Sequence, residues 1–417
     1  MTMKKTTETA VRTGTESVTH MPLAIRILLR LAQQAQYGSL TVTLPDGSLQ
    51  RVDGPHAGPA AQIEIHRTRL VRRFLAGGTA ALLESYADAD WDTRNLAVLL
   101  EWGAVNEPYF GGTVHGRSLF RLIGRLRHRL RPNSRRGSRR NIAYHYDLGN
   151  DFYRLWLDES LGYSGAVYET ADDTLARAQY NKYRRIIDLL GLKEDHHLLE
   201  IGSGWGGFAI QAALRTGCRV TSVTVSRAQL EEAQWRAEAA GVADRVEFRF
   251  QDYRDVSGRY DRIASIEMFE AVGEQYWQGF FRSVHDRLRP GGAAALQVIT
   301  IDEAHFEHYR RTPDFIQRYI FPGGMLPSPE RFMAEARSAG LHPGGQQFFG
   351  QHYARTLADW ERRFFDAEAA VRAQGFDSRF IRMWHAYLAY CRAGFQTGRI
   401  DLMHALLQRP ERDERGT

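Results

Sequence analysis

From residue 21 to 35 apolar side chains recur at three- and four-residue spacing, interrupted by Arg26 and Arg30, a pattern that predicts an amphipathic helix. Between residues 38 and 52 apolar and polar positions alternate on either side of Pro45-Asp46-Gly47, which predicts a hairpin with its turn residues in place. Residues 61–65 read as a further strand. Helices are expected over 67–76 and 79–84, separated by Gly77-Gly78, and again over 93–105. These elements predict a small α+β domain.

Past residue 141 the period changes. Helices are expected at 175–190, 205–216, 227–240 and 276–288, and strands at 197–201, 219–225, 246–251, 261–266 and 292–299. Such βαβ alternation predicts an α/β domain with a mostly parallel sheet covered by helices on both faces. Residues 301–318 and 357–406 read as mostly helical and aromatic-rich. The expected organisation is a disordered leader over 1–20, a first domain over 21–131, a linker over 132–140, a larger domain over 141–407 and a charged, frayed tail over 408–417.

Composition narrows the class. A chain of 417 residues with 43% hydrophobic and 25% charged residues has room for two or three domains and reads as soluble and globular. No apolar run reaches the roughly 18 residues that span a bilayer, and the polar, threonine-rich start lacks the apolar core of a secretion signal. Two cysteines, Cys218 and Cys391, make no disulfide framework and read as reduced core residues. The net charge of +6 is concentrated: ten arginines and no acid lie between Arg117 and Arg140. Within that block, residues 117–131 place leucines, Phe120 and Ile123 on one helical face. The pattern fits a helix lying in an anionic membrane interface; a domain-packing helix with solvated arginines is the alternative, since both need the same amphipathicity. No nucleic-acid recognition fold stands beside it.

The candidate chemistry centres on Leu198-Leu199-Glu200-Ile201-Gly202-Ser203-Gly204-Trp205-Gly206-Gly207, a strand that runs into a glycine turn and then a helix. Glycines let the backbone approach a ligand while the helix offers free N–H groups. The spacing of Gly202, Gly204 and Gly207 also satisfies the dinucleotide fingerprint. A dinucleotide fold, however, wants an acid at the end of the second strand, and here that strand ends in Thr224-Val225-Ser226. Glu200, two residues before the first glycine, can instead take the ammonium of an amino-acid-like cofactor, which suits S-adenosylmethionine.

Several ordered motifs add to this reading: YHYDLGNDFY from Tyr144, LGYSGAVY around Tyr163-Ser164, LLEIGSGWGG, QDYRD from Gln251, EMFEAVG from Glu267, and YIFPGGMLP from Tyr319. With them the chain resembles the cyclopropane fatty acid synthases and mycolic acid methyltransferases from about residue 141 to near its C-terminus. The first domain is similar to the smaller lipid-binding domain of the bacterial enzymes. The resemblance implies a Rossmann-like class I methyltransferase fold. It also implies S-adenosylmethionine over Gly202, Gly204 and Gly206 with Glu200 at its amino-acid end, Tyr163 and Ser164 on the methionine moiety, Thr224 and Gln229 near the ribose, and Asp252, Tyr253 and Arg254 near the adenine.

The implied reaction is attack of an unsaturated phospholipid acyl chain on the sulfonium methyl, followed by proton loss and ring closure. It needs a dry pocket and faces that stabilise a cation, for which Phe269, Tyr319, Phe321, Phe349 and Tyr353 are candidates, although aromatics in such a region are also ordinary core. The resemblance further implies bicarbonate as the base, with Glu270, Tyr353 and Ile299 in matching positions. Two positions depart from it: Gly165 replaces a cysteine and Gln297 a histidine. Gln297 can donate a hydrogen bond but cannot titrate. Proton loss from another carbon would leave a methyl-branched or methylene-bearing chain, and a lipid-binding protein without turnover is the non-enzymatic alternative.

Glu303, His305, Glu307 and His308 lack a further ligand cluster, so no metal is expected. The expected setting is the cytoplasm, at the inner face of the cell membrane, with unsaturated phospholipids as partners and a homodimer left open.

Overall fold

The structure, a computed structural model, describes residues 21–110 and 148–411. The basic segment 117–131, the linker 132–140, the leader, residues 144–147 of the first motif and the end of the tail lie outside the described residues.

The first described part packs helices α1 (Leu23–Ala32), α2 (Arg69–Ala87) and α3 (Leu96–Asn106) with strands β1 (Tyr37–Thr43), β2 (Leu49–Asp53), β3 (His56–Ile65) and β4 (Trp91–Asp92). The strands form one sheet in the order β2-β1-β3-β4, with the expected hairpin at its edge. The break anticipated at Gly77-Gly78 falls inside α2, where Gly78 takes φ 65° and ψ −153°. Asn95 caps α3 by accepting from Val98 N–H, which satisfies one of the donors a helix start leaves open.

The second part contains helices α4 (Leu175–Leu190), α5 (Gly207–Thr216), α6 (Arg227–Ala239), α7 (Trp277–Arg287), α8 (Glu303–Arg311), α9 (Pro329–Ser338), α10 (Gly350–Asp366) and α11 (Ser378–Gln396). They surround strands β5 (His197–Ile201), β6 (Arg219–Thr224), β7 (Val246–Phe250), β8 (Tyr260–Ile266), β9 (Leu288–Ile301), β10 (His342–Phe348) and β11 (Ile400–Gln408). The seven strands run in the order β10-β11-β9-β8-β5-β6-β7. Strands β5 to β9 are parallel, and β11 lies antiparallel between β9 and β10. The order reverses next to β5, so the crevice beyond its C-terminal end is where an open α/β sheet binds ligands.

Two expectations at the end of the chain are corrected. Residues 400–406 were expected to be helical, but Ile400–Gln408 pairs with β9 along its length, from Ile400 opposite Ile301 to Gln408 opposite Ala293. A short apolar run does not by itself discriminate a buried strand from a helix; the free edge of β9 decides. Strand β10, HPGGQQF, which pairs with β11 on its other side, carries no strand signal, and its proline is tolerated because the strand is at the sheet edge. The tail also begins later than expected, since Arg409 is buried and donates to the carbonyls of His285 and Leu288 at 3.0 and 2.8 Å.

Helix α11 joins the two parts. Arg382 donates to Tyr86 O at 2.6 Å and Trp91 O at 2.8 Å and pairs with Asp92, while the Tyr86 hydroxyl meets His385 Nδ1 at 2.8 Å. Arg399 and Glu107 form a further ion pair across the same junction.

Candidate active site

At the end of β5 the chain turns through Gly202 (φ 99°), Gly204 (φ 49°) and Gly206 (φ 85°), conformations that side chains with a Cβ rarely adopt. A Cβ on Gly206 would also lie 2.9 Å from the Phe248 ring. Gly206 caps α5, so the first N–H groups of that helix face the crevice. Glu200 is buried beneath the turn and accepts from the Ser222 hydroxyl at 2.5 Å. Burial raises its pKa to about 8, a cost that an arriving ammonium would offset.

Thr224 and Gln229 meet at 3.1 Å, both buried. Asp252 is held by Arg254 through an ion pair at 2.6 Å and accepts from Arg254 N–H. Ser164 accepts from Lys182 Nζ at 2.6 Å, and Tyr163 meets the Tyr387 hydroxyl at 2.8 Å. Lys182 is fully buried, which lowers its pKa to about 8 against the pull of Glu267, Asp158 and Glu200.

A cavity of about 560 Å³ joins these positions. Tyr163, Ser164, Glu200, Gly202, Gly204, Thr224, Gln229, Asp252, Tyr253 and Arg254 line it together with Glu267, Glu270, Ile299 and Tyr353. Gly206, Gly165 and Gln297 do not line it, although Gly165 and Gln297 both bond to the lining residue Glu267. The far side is apolar and comes from the first part of the chain, with Leu28, Leu40, Ile63, Leu70, Phe74 and Leu100. Of the aromatic candidates, Phe321 and Tyr353 reach the cavity. Phe269 is instead fully buried in a core cluster with Trp277, Phe280, Phe281 and Phe332, Phe349 packs on His404, and Tyr319 packs on Phe315. Cys391 also lines the cavity, while Cys218 is buried in the core.

The residues expected around an anion converge on a group that carried no role in the sequence. Glu267, at the end of β8, accepts from Gly165 N–H, Gln297 Nε2 and the Tyr353 hydroxyl, each at 2.7 Å. Glu270, three residues on, accepts from Ile299 N–H at 2.5 Å, and its Oε2 is buried with no hydrogen-bond partner among the described residues. Burial and the neighbouring Glu267 charge raise Glu270 to about pKa 8. The signal for Glu267 was present as a second acid in EMFE, but spacing alone does not say which carboxylate the donors reach. His404 was also missed. Its Nε2 meets Gln297 Oε1 at 2.7 Å, and burial holds its pKa down to about 3.

Gly165 is small for a geometric reason. A Cβ there would lie 2.7 Å from both Tyr353 Cδ1 and Leu402 Cδ2, so the ring that reaches Glu267 fills the space a larger residue would need. No group of three or more His, Cys, Asp and Glu side chains suited to a metal occurs among the described residues.

The family model described as mycolic acid cyclopropane synthetase matches residues 133–405. The chain belongs to that family. It is therefore an S-adenosylmethionine-dependent C-methyltransferase, and the sheet order with its glycine loop after β5 is the corresponding fold. Among curated proteins, the tuberculostearic acid methyltransferase UfaA1 of Mycobacterium tuberculosis is 38% identical over 400 residues, covering 91% of this chain and 89% of that one. The cyclopropane-fatty-acyl-phospholipid synthase of Escherichia coli is 32% identical over 385 residues, covering 88% and 95%. Among solved structures, the mycolic acid cyclopropane synthase CmaA1 complexed with SAH and CTAB superposes with a TM-score of 0.61 at 29% identity, covering 65% of this chain and 98% of that one.

Proposed function

We propose that this methyltransferase acts on an unsaturated acyl chain of a membrane phospholipid and leaves a methylene-bearing chain. The observation that carries the reading is the cavity, which runs from the glycine loop and carboxylates to leucines and a phenylalanine of the first part of the chain, a lining suited to a hydrocarbon. The similarity to a tuberculostearic acid methyltransferase, over more of the chain and at higher identity than to the cyclopropane synthase, favours branching over ring formation. S-adenosylmethionine would supply an electrophilic methyl at the loop, held by Glu200, Gly202, Gly204, Tyr163, Ser164, Thr224, Gln229 and the Asp252-Tyr253-Arg254 turn.

The chain's own residues then govern the fate of the charge. The new C–C bond uses the π pair of the double bond, so a cation remains on the neighbouring carbon. Apolar walls keep water from trapping it, and the Phe321, Tyr353 and Tyr387 rings offer their negative faces. A hydride shift to that carbon places the charge on the methylated carbon, and loss of a methyl proton, with its C–H pair becoming the double bond, leaves a methylene branch on the chain. Loss of the proton without the shift closes the three-membered ring; this second reading is favoured by the family description. A saturated methyl branch would need a hydride donor in addition.

No helix among the described residues is long and apolar enough to cross a membrane. Access to phospholipid would then be peripheral, through the basic segment 117–131, from the inner face of the cell membrane. The deciding experiment incubates the enzyme with S-adenosylmethionine and vesicles of monounsaturated phospholipid and reads the lipids by proton NMR. Vinylidene protons downfield support branching. Cyclopropane methylene protons far upfield would replace it with ring closure, and unchanged lipid would reject both.

A further inference from the structure

We propose that the Glu267 carboxylate is this enzyme's own proton acceptor and stands where a free bicarbonate would otherwise bind. The inference rests on the lipid-methylating reading above and concerns how the reaction ends.

Gly165 N–H and Gln297 Nε2 both donate to Glu267 Oε1, and the Tyr353 hydroxyl donates to Oε2. These are three of the five residues the family resemblance assigns to bicarbonate, and all three are turned onto a side chain of the protein itself. The other two, Ile299 N–H and Glu270, are bonded to each other. A bicarbonate would have to displace a tethered anion and sit against it in a water-poor pocket, where like charges repel strongly. The donor set therefore does not fit a free anion.

The backbone supports the same assignment. Glu267 has φ 51°, in the left-handed region that a residue with a Cβ adopts only at a cost in strain. Its N–H is fixed by Gln297 O at 2.8 Å. A glycine would hold this turn without strain, so the glutamate side chain is the feature the strain secures.

The surroundings aim three hydrogen-bond donors at Glu267. His404, neutral through burial, donates to Gln297 Oε1 and so aims the amide N–H at Glu267. Burial raises the Glu267 pKa, as suits a proton acceptor, while its three hydrogen-bond donors and the buried Lys182 ammonium oppose that shift; Glu270 has backbone N–H donors only and an unpartnered Oε2, and holds its proton below about pH 8. A carboxylate has about four lone-pair sites; three are taken, leaving one on Oε2 for a substrate proton. In the step itself Oε2 takes a proton from the methyl group of the substrate cation. The C–H pair becomes the new carbon–carbon bond, Glu267 becomes a neutral acid, and it returns its proton to solvent once product leaves.

The test compares wild type, Glu267→Gly and Glu267→Gln in carbon-dioxide-free buffer and with added bicarbonate. Labelled bicarbonate binding is read by carbon NMR, cofactor binding by calorimetry and folding by thermal melting. The expected wild-type rate is the same in both buffers, with no bound bicarbonate. Glu267→Gly should relieve the backbone strain, fold, bind S-adenosylmethionine, lose about 100-fold or more in rate, and recover with bicarbonate or formate, which enter the vacated space. Glu267→Gln, which fills that space with a neutral amide, should be equally slow and not recover. Wild-type turnover stimulated by bicarbonate, bicarbonate bound by wild type, or a Glu267→Gly enzyme at full rate without bicarbonate would overturn the proposal. The bicarbonate-binding comparison decides this even if no lipid is methylated, an outcome that would instead reject the reading on which the proposal rests.

Discussion

The Tyr353 hydroxyl donates to Glu267 Oε2 at 2.7 Å, joining α10 to the end of β8 across 86 residues of sequence. The same ring stacks on Phe395 at 4.4 Å between centroids and closes against Gly165. One tyrosine thus fixes the carboxylate, forms part of the apolar wall and dictates the size of the residue opposite.

Gly165→Cys should therefore be harmful even though the resemblance makes cysteine the usual residue there. Its Cβ would meet Tyr353 and Leu402 at 2.7 Å. Overpacking of this kind costs about 1–3 kcal/mol, and the displaced ring should lose its bond to Glu267. Urea denaturation and initial rates should both fall, and Gly165→Ala should show most of the effect. An unchanged midpoint would mean that Tyr353 yields without cost.

Stability should fall as pH rises from about 6.5 to 8. Glu200 and Glu270 have folded-state pKa values of about 8, above the carboxylate range, so the folded state binds more protons than the unfolded chain until pH passes 8. His404, held at about 3, has the opposite slope, but only below about 6.5, where an unfolded histidine takes its proton. Lys182, held at about 8, acts only above that pH. Thermal melting across this window checks the sign. Glu270→Gln should flatten the slope, and S-adenosylmethionine should flatten the part due to Glu200; a rising melting temperature would contradict the assignment.

Arg382→Ala should loosen the junction between α11 and the first part of the chain. It removes charged donors from Tyr86 O and Trp91 O, and bonds of that type contribute about 1.5–3 kcal/mol. Denaturation should show the loss, and Arg382→Lys, with one ammonium for two carbonyls, should restore only part of it. Full stability in Arg382→Ala would place the strength of the junction elsewhere.

Neutralising Arg121, Arg125 and Arg129 should weaken binding to anionic vesicles by up to about 1 kcal/mol per residue. Raised salt should act in the same direction, because exposed charges are screened. Sedimentation with vesicles measures both. Binding insensitive to charge and salt would reject a membrane-surface role for residues 117–131.

Local pattern alone determined the hairpin, the break in α2, the alternating elements from Leu175 to Ile301 and the glycine loop with Glu200, because each is written in the periodicity or conformational needs of neighbouring residues. The S-adenosylmethionine reading followed from the same loop and from the absence of an acid after β6. Tertiary structure decided the rest. Ile400–Gln408 became a strand because β9 offered an unpaired edge, and Phe269 became core because four aromatic rings close around it. Above all, EMFE carries two carboxylates three residues apart, and only the fold determines that Gly165, Gln297 and Tyr353 all donate to Glu267 while Ile299 N–H donates to Glu270. Those donors come from a loop, a neighbouring strand and a distant helix, and a hydrogen bond depends on distance in space, which sequence spacing does not specify beyond a turn or two.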